Sequence, residues 1–292
     1  LRLAAERGLP CFSVQHHRAH VAAVMAEHGL SGPVRGLALD GSGLGIDGQS
    51  WGGELLTLQD TGFARDAHLM ALPLPGGDRA SREPWRMAAA ALWAAGRADE
   101  IPARFPGMPG AGSLARLIES PGLTGSTTSM GRWLDAAAAL LGLCLRQQDE
   151  ATAAMRLESA ASGPSPALRG SPLEIADRPK DPGSVAQAAA DLHEGVARAL
   201  ACWILETGPA SLPLCLAGGC FINRRLTERL VELLEARGVK PLLARRSPPG
   251  DGGIALGQAW CAILARRAAG RDDPGPGDLI AMTPPRPSLR TS

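Results

Sequence analysis

The sequence predicts an α/β protein with a partly parallel sheet, in two halves that each hold a strand ending in a glycine turn. Three observations carry this expectation. Val34-Arg35-Gly36-Leu37-Ala38-Leu39-Asp40 and Leu212-Pro213-Leu214-Cys215-Leu216-Ala217 are short apolar runs followed at once by glycine, the pattern of buried strands. Strands alternate with helical stretches in the second half, which implies crossover helices. Aromatics make up only 3%, with no tyrosine, while 36 Gly and 24 Pro supply structured turns.

In chain order, Val21-Ala22-Ala23-Val24-Met25-Ala26-Glu27 reads as helix, preceded by Gln15-His16-His17-Arg18-Ala19-His20. After the strand ending at Asp40, two more strands are expected, 51–58 and 64–72, each bounded by Gly, Asp or Pro. From Glu83 to about Leu145 the pattern turns helical, clearest in the Ala-rich windows 85–93 and 130–141. The Pro-, Ser- and Gly-dense segment 162–183 reads as an exposed connection. Beyond it come helix 185–206, strand 212–217, helix 223–237, strand 239–244 and helix 254–267, and the Pro/Gly-rich tail from Arg271 reads as loosely ordered. Two lobes, 1–182 (with a helical insertion from about 80) and 183–292, are expected to face each other across a cleft, in keeping with about two domains for 292 residues.

A formal net charge of +1 with no dense Lys/Arg block disfavours binding to nucleic acid or a membrane surface. Six cysteines without a C-x-x-C pair fit reduced cytosolic thiols rather than a disulfide scaffold. No run of about 18 apolar residues is present. The chain opens on Leu1 without a signal region and is expected to be a cytoplasmic segment whose upstream part carries some of the activity.

His16 and His20 are four residues apart, so on a helix they share one face and can chelate a transition metal once a further ligand joins them. Otherwise they are histidines at a solvated helix start. Asp251, on the turn Pro248-Pro249-Gly250-Asp251-Gly252-Gly253, is either a helix cap or that third ligand, which would complete a two-His, one-carboxylate site open to substrate. The run from Asp40 to Gly48 lets main-chain N–H groups approach an anion, with Gly41 and Gly43 at its start, and Gly52-Gly53-Glu54 offers a second such turn. A ligand-free glycine hairpin is the alternative. Gly218-Gly219 followed by Asn223 reads as a strand, glycine turn and helix start that favour an anion, with Asn223 a cap or a cleft-facing ligand. Cys220 reads as a small buried residue rather than a nucleophile, since no base is evident beside it.

Together with Pro73-Leu74-Pro75-Gly76-Gly77-Asp78, Arg82-Glu83-Pro84-Trp85-Arg86-Met87 and Thr128-Ser129-Met130-Gly131-Arg132, these segments resemble, in order, the C-terminal carbamoyl-transfer domain of the hydrogenase-maturation carbamoyltransferases, the HypF family. The resemblance implies a duplicated actin-like, sugar-kinase-like (ASKHA, RNase H-like) two-lobe fold. It implies transfer of the carbamoyl group of carbamoyl-adenylate, made by an upstream domain from carbamoyl phosphate and ATP, to the C-terminal cysteine of a HypE partner. The resulting thiocarboxamide becomes the cyanide ligand of a [NiFe]-hydrogenase. It further implies Fe or Zn on His16, His20 and Asp251, and nucleotide contacts at Gly52, Gly53, Gly218, Gly219 and Asn223. Asp135 matches a ribose ligand, and Asp40 falls where such folds keep a carboxylate near the phosphates. Gly41, Gly43, Glu54 and Glu150 complete the expected carbamoyl-adenylate set. Two departures stand out: Ala151 occupies a family glycine, and Leu44 a common tyrosine. Rival expectations are an O-carbamoyltransferase acting on a small-molecule hydroxyl and a non-catalytic actin-like nucleotide-binding module. His17 is a base candidate only by proximity, and otherwise an orienting or solvent-facing neighbour.

Overall fold

The computed structural model describes residues 3, 6–8, 11–59, 61–120, 122–165, 175–208 and 211–268. The expected loose tail and the middle of the 162–183 connection lie outside the described residues.

Helix α1 (His16–Glu27) starts where the Gln15 side chain accepts the Arg18 amide, and it is buried over most of its length. Strands β1 (Val34–Leu44), β2 (Ser50–Leu58) and β3 (Phe63–His68) form an antiparallel meander. The expected third strand splits in two. After the Leu69 amide donates to the Gly53 carbonyl, the chain leaves β2, and β4 (Leu72–Leu74) pairs with β5 (Gly125–Thr127) instead. The helical region includes α2 (Pro84–Ala94), α3 (Met130–Leu140) and α4 (Thr152–Ala160). The second half supplies α5 (Pro182–Glu206), β6 (Leu214–Ala217), α6 (Arg224–Glu235) and α7 (Ile254–Ala268).

The sheet order is β4-β5-β2-β1-β6, with β3 also on β2. Strand β6 lies parallel to β1, Arg35 opposite Leu214 and Ala38 opposite Ala217. The second half therefore adds its strand to the sheet of the first, and the segment after Asp40 and the Gly218-Gly219 turn come to one sheet end. The expected strand 239–244 is reduced to a single bridge between Leu242 and Cys215, since Pro241 has no N–H to extend the ladder.

Alternate residues of β1 face opposite helix layers, which is why the strand reads as continuously apolar. Leu37 and Leu39, with Leu214 and Leu216, pack on α3, α5 and α6. On the other face Val21 and Met25 of α1 meet Ala38, Leu56 and the α7 residues Cys261 and Leu264. Trp85, Met87 and Leu92 of α2 anchor a separate cluster in the helical region. No helix among the described residues is long and apolar enough to cross a membrane.

The expected turn after Asp40 is strand: β1 runs on to Leu44 and carries a bulge. Leu39 pairs with Gly53 and Gly43 with Trp51, so Asp40, Gly41 and Ser42 stand against Gly52 alone. A bulge of this kind bends the strand and re-aims a side chain. Here the side chain it aims is Asp40.

Candidate metal and substrate site

Four side chains from three separated segments converge beside this bulge. One ligand atom from each of His16, His20, Asp40 and Asp251 lies within 4.8 Å of all the others. The two imidazole Nε2 atoms are 3.1 Å apart. His16 Nε2 is 3.0 Å from Asp40 Oδ2 and 3.7 Å from Asp251 Oδ1, while His20 Nε2 is 3.6 Å and 3.4 Å from the same two oxygens. Donors at about 2.0–2.1 Å from a tetrahedral ion stand roughly 3.3 Å from one another, so the spacing fits one ion. Two imidazole nitrogens with two carboxylate oxygens suit Zn or Fe better than Mg. His20 is enclosed, whereas the Asp251 side chain is 75% exposed, so the set opens to solvent on the Asp251 side.

Asp40 is the donor that sequence reading missed as a ligand, having placed it near the phosphates. The bulge turns its Oδ2 toward the histidines, while Oδ1 accepts the Gly219 amide at 3.2 Å. Burial pushes the Asp40 carboxyl upward, but the bonds from His16 and His20 outweigh it and hold the group well below the usual carboxylate range. The same bond raises His16, with burial opposing. Two signals in the sequence mark Asp40: a strand ending in a carboxylate, and the glycines that follow it.

His17 is neither solvent-facing nor poised as a base. It is fully buried, its Nδ1 meets Gln15 Nε2 at 3.0 Å, and burial together with His16 pushes it down to about 4. It packs behind the site as a neutral ring. Gly43 lies against these rings rather than in an anion cradle: a Cβ there would come 2.4 Å from His16 Cδ2 and 2.6 Å from His17 Cε1.

Gly52 and Gly53, expected as a turn, lie within β2 and have another role. Both amides donate to Glu54 Oε1, at 3.1 and 3.2 Å, as does the Thr128 hydroxyl, and Arg65 Nε donates to Oε2 at 2.7 Å. Glu54 is therefore a fully buried internal acceptor and not a nucleotide ligand. With those N–H groups taken, Gly52 and Gly53 shape the bulge instead of cradling phosphate.

Gly218 and Gly219 do stand at the site. Gly218 has φ +105, and a Cβ there would meet the Leu39 carbonyl at 2.3 Å; only glycine permits β6 to end so close to β1. Its amide donates to the Pro249 carbonyl at 3.0 Å, tying this turn to the Asp251 turn. A 3-10 turn, Gly219–Ile222, stands between β6 and α6, and α6 begins at Arg224, in keeping with the helix expected from Asn223. Asn223 is the α6 cap: Oδ1 accepts the Leu226 amide at 2.9 Å and Nδ2 meets His193 Nε2 at 3.0 Å. Its side chain is thus spent on structure. Asp251 opens a 3-10 turn, Asp251–Gly253, capped by Gly250, and its carboxylate faces His16 and His20. Burial raises the Cys220 thiol, consistent with an inert residue.

A cavity of about 450 Å³ lies beyond the bulge, its walls including Ser42, Ser50, Arg82, Arg132, Gln147 and Glu150. Glu150 Oε1 is 3.5 Å from where a Cβ on Gly41 would sit, so the cavity begins one residue from Asp40. Asp135 does not line it: the carboxylate is buried against Arg132 Nη2 at 2.7 Å and Gln147 Nε2 at 3.4 Å. It reaches the cavity only through those two side chains. Burial, opposed by Arg132, raises Asp135 to about 6. Ala151 keeps a left-handed backbone, φ 62 and ψ 5, so alanine has been fitted into the conformation a glycine favours. Leu44 leaves its side chain in solvent.

A mixed α/β sheet with helices on both faces, bearing at one sheet end a two-His, two-Asp cluster able to hold a metal ion, has the architecture of an actin-like domain. The comparisons agree. The profile of the carbamoyltransferase Kae1-like domain, second subdomain, matches residues 36–258, and that of the HypF Kae1-like domain matches residues 1–27. The chain is 44% identical to carbamoyltransferase HypF2 of Cupriavidus necator, over 89% of this chain and 37% of that one. It is 43% identical to a carbamoyltransferase HypF homolog of the same organism, over 92% of this chain and 75% of the other. The crystal structure of full-length HypF in the phosphate- and nucleotide-bound form superposes with a TM-score of 0.80 at 31% identity, covering 91% of this chain and 37% of that one. The chain belongs to the HypF family and corresponds to its Kae1-like domain. It spans little more than a third of HypF2 and of full-length HypF.

Proposed function

We propose that this chain transfers the carbamoyl group of carbamoyl-adenylate to the C-terminal cysteine thiol of a HypE-type acceptor, the step toward the cyanide ligand of [NiFe]-hydrogenase. An upstream domain forms the carbamoyl-adenylate. The observation that carries the reading is the donor set of His16, His20, Asp40 and Asp251, within 4.8 Å, beside a polar cavity of about 450 Å³. Membership in a family whose members are named carbamoyltransferases supports it.

The cavity takes the nucleotide, and its volume lies in the range of small-molecule sites. Arg132 and Arg82 supply positive charge for the phosphate, and Ser42, Ser50 and Gln147 supply hydrogen bonds. His16, His20, Asp40 and Asp251 would hold Fe or Zn, which when bound supplies a Lewis acid for the carbamoyl carbonyl. The exposed Asp251 side leaves room for the acceptor's chain terminus to enter. Sulfur attacks the carbamoyl carbon, the bond from that carbon to the phosphate oxygen breaks, AMP leaves, and the thiol proton passes to solvent. His17, enclosed and neutral, takes no part in that proton transfer.

The test is to supply carbamoyl-adenylate together with either a peptide ending in cysteine or an aminoglycoside, and to follow AMP release and the mass of the acceptor. Thiol carbamoylation is expected. Carbamoylation of the hydroxyl acceptor alone would assign the chain to O-carbamoyl transfer, and nucleotide binding without AMP release or bound metal would leave a non-catalytic module.

A further inference from the structure

Asp251 presents a geometric problem. Its side chain is 75% exposed, yet its oxygen stands within 4 Å of two imidazoles on α1. Backbone on its two sides must place it: after it, α7 packs on α1 through Cys261 and Leu264; before it runs the backbone of the loop. That backbone has two ties on the Asp251 side, Gly218 N to Pro249 O at 3.0 Å and Gly253 N to Gly250 O at 2.9 Å.

A third tie comes from α1 itself. Glu27, the last residue of the helix that carries both histidines, reaches the start of the loop. Its Oε2 accepts the amides of Arg245 at 2.6 Å and Arg246 at 2.9 Å; its Oε1 accepts the Ser247 amide at 2.8 Å and the Ser247 hydroxyl. Three successive N–H groups on one carboxylate form an anion nest. Beside it, His28 Nε2 meets the Leu243 carbonyl at 2.9 Å. Burial pushes the Glu27 carboxyl up, but the Ser247 hydroxyl and the three amides overrule it, so the group stands at about 2.

We infer that Glu27 is a positioning residue for the metal site, fixing the Asp251 loop to α1 so that Asp251 meets His16 and His20. From His20 to Glu27 is about 10 Å of helix, at 1.5 Å per residue, and a helix is stiff over that distance. From Ser247 to Asp251 the chain passes Pro248 and Pro249, whose fixed φ limits play in the loop. One rigid element thus carries two donors at its start and clamps the bearer of another at its end. The carboxylate suits this better than a neutral side chain, since charge-assisted bonds to three amides are stronger than neutral ones.

The inference rests on reading the donor set as a metal site, and one experiment separates the two. Cobalt(II) alone is titrated into wild type, Glu27→Ala, Glu27→Gln, Asp251→Asn and the Glu27→Ala/Asp251→Asn double variant, with thermal midpoints measured beside each. Outer groups that orient ligands are worth roughly 10–100-fold in affinity. Glu27→Ala should lose that much, and Glu27→Gln, which keeps one acceptor oxygen, should fall between. In the Asp251→Asn background Glu27→Ala should cost nothing further, because Glu27 acts through Asp251. Leu230→Val, in the core on the far face, should lower the midpoint and leave cobalt affinity unchanged. Equal losses from Glu27→Ala in both backgrounds, or wild-type affinity in Glu27→Ala, would overturn the inference while leaving the metal site standing. A wild type that binds no cobalt would overturn the metal site and the inference with it.

Discussion

Adding one methyl group at Gly43 should weaken the metal site without replacing a ligand. The Cβ of Gly43→Ala would fall 2.4 Å from His16 Cδ2, 2.9 Å from His16 Cγ and 2.6 Å from His17 Cε1. Carbon contacts settle near 3.5–4.0 Å, so a ring must retreat by about 1 Å. His17 is fully buried, with Trp51 at 6.0 Å, and has little room. His16 has 22% of its side chain exposed, so it is the ring that moves. Its 3.0 Å contact with Asp40 and its 3.1 Å approach to His20 are lost together. The overpacking itself should cost about 1–3 kcal/mol, and displacing one donor should weaken metal binding by roughly 10–100-fold. At a metal concentration saturating for both proteins, a hundredfold loss removes about 2.7 kcal/mol of metal-dependent stabilisation. The assay is zinc competition titration, paired with thermal unfolding with and without metal. Gly32→Ala is the control, since a Cβ there meets nothing within 4 Å. Wild-type zinc affinity in a folded Gly43→Ala protein would show that the rings are not held as described.

Three further outcomes are expected. His20→Ala should abolish both bound metal, read by elemental analysis, and AMP release from carbamoyl-adenylate; activity retained without metal would exclude the donor set from the reaction. Ala151→Gly should raise stability, because the left-handed conformation costs alanine about 1–2 kcal/mol and the gain in unfolded-state freedom takes back about 0.4–1 kcal/mol; an unchanged or lower thermal midpoint would contradict the strain. Asp135, raised in the fold to about 6 from 3.8, stays protonated in the native state where the unfolded chain is ionised. Its contribution to stability is full below about pH 4 and is lost as pH rises through about 6, up to about 3 kcal/mol. Asp135→Asn should flatten the slope of stability against pH between those values, as followed by urea unfolding, and an undiminished slope would place its origin elsewhere.

Much of the site was legible because its chemistry is local. His16 and His20 need only a helical spacing, and Gln15 starts that helix with its own side chain. Gly218 and Asp251 each sit on a short turn whose residue types announce it. The roles that escaped depend on pairing between distant segments. Glu54 looks like the end of a glycine turn until Arg65 and Thr128 are brought against it. Asp135 looks free until Arg132 and Gln147 are brought against it. Gly43 resembles the glycines of an anion loop, yet its Cα is the floor beneath two histidine rings.

Composition and periodicity alone determined that this chain folds as α/β, that α1 carries an imidazole pair on one face, and that a glycine turn ends β6. These follow from backbone preferences acting over a few residues. Tertiary structure decided that the Asp40 bulge and the Gly218-Gly219 turn share one sheet end and that Asp40 joins the donor set. Parallel pairing of β6 with β1 sets the Gly219 amide on one Asp40 oxygen, while the bulge opposite Gly52 swings the other toward His16. Neither contact is encoded within reach of a local pattern, because each is the meeting of groups separated in sequence and fixed only by strand register.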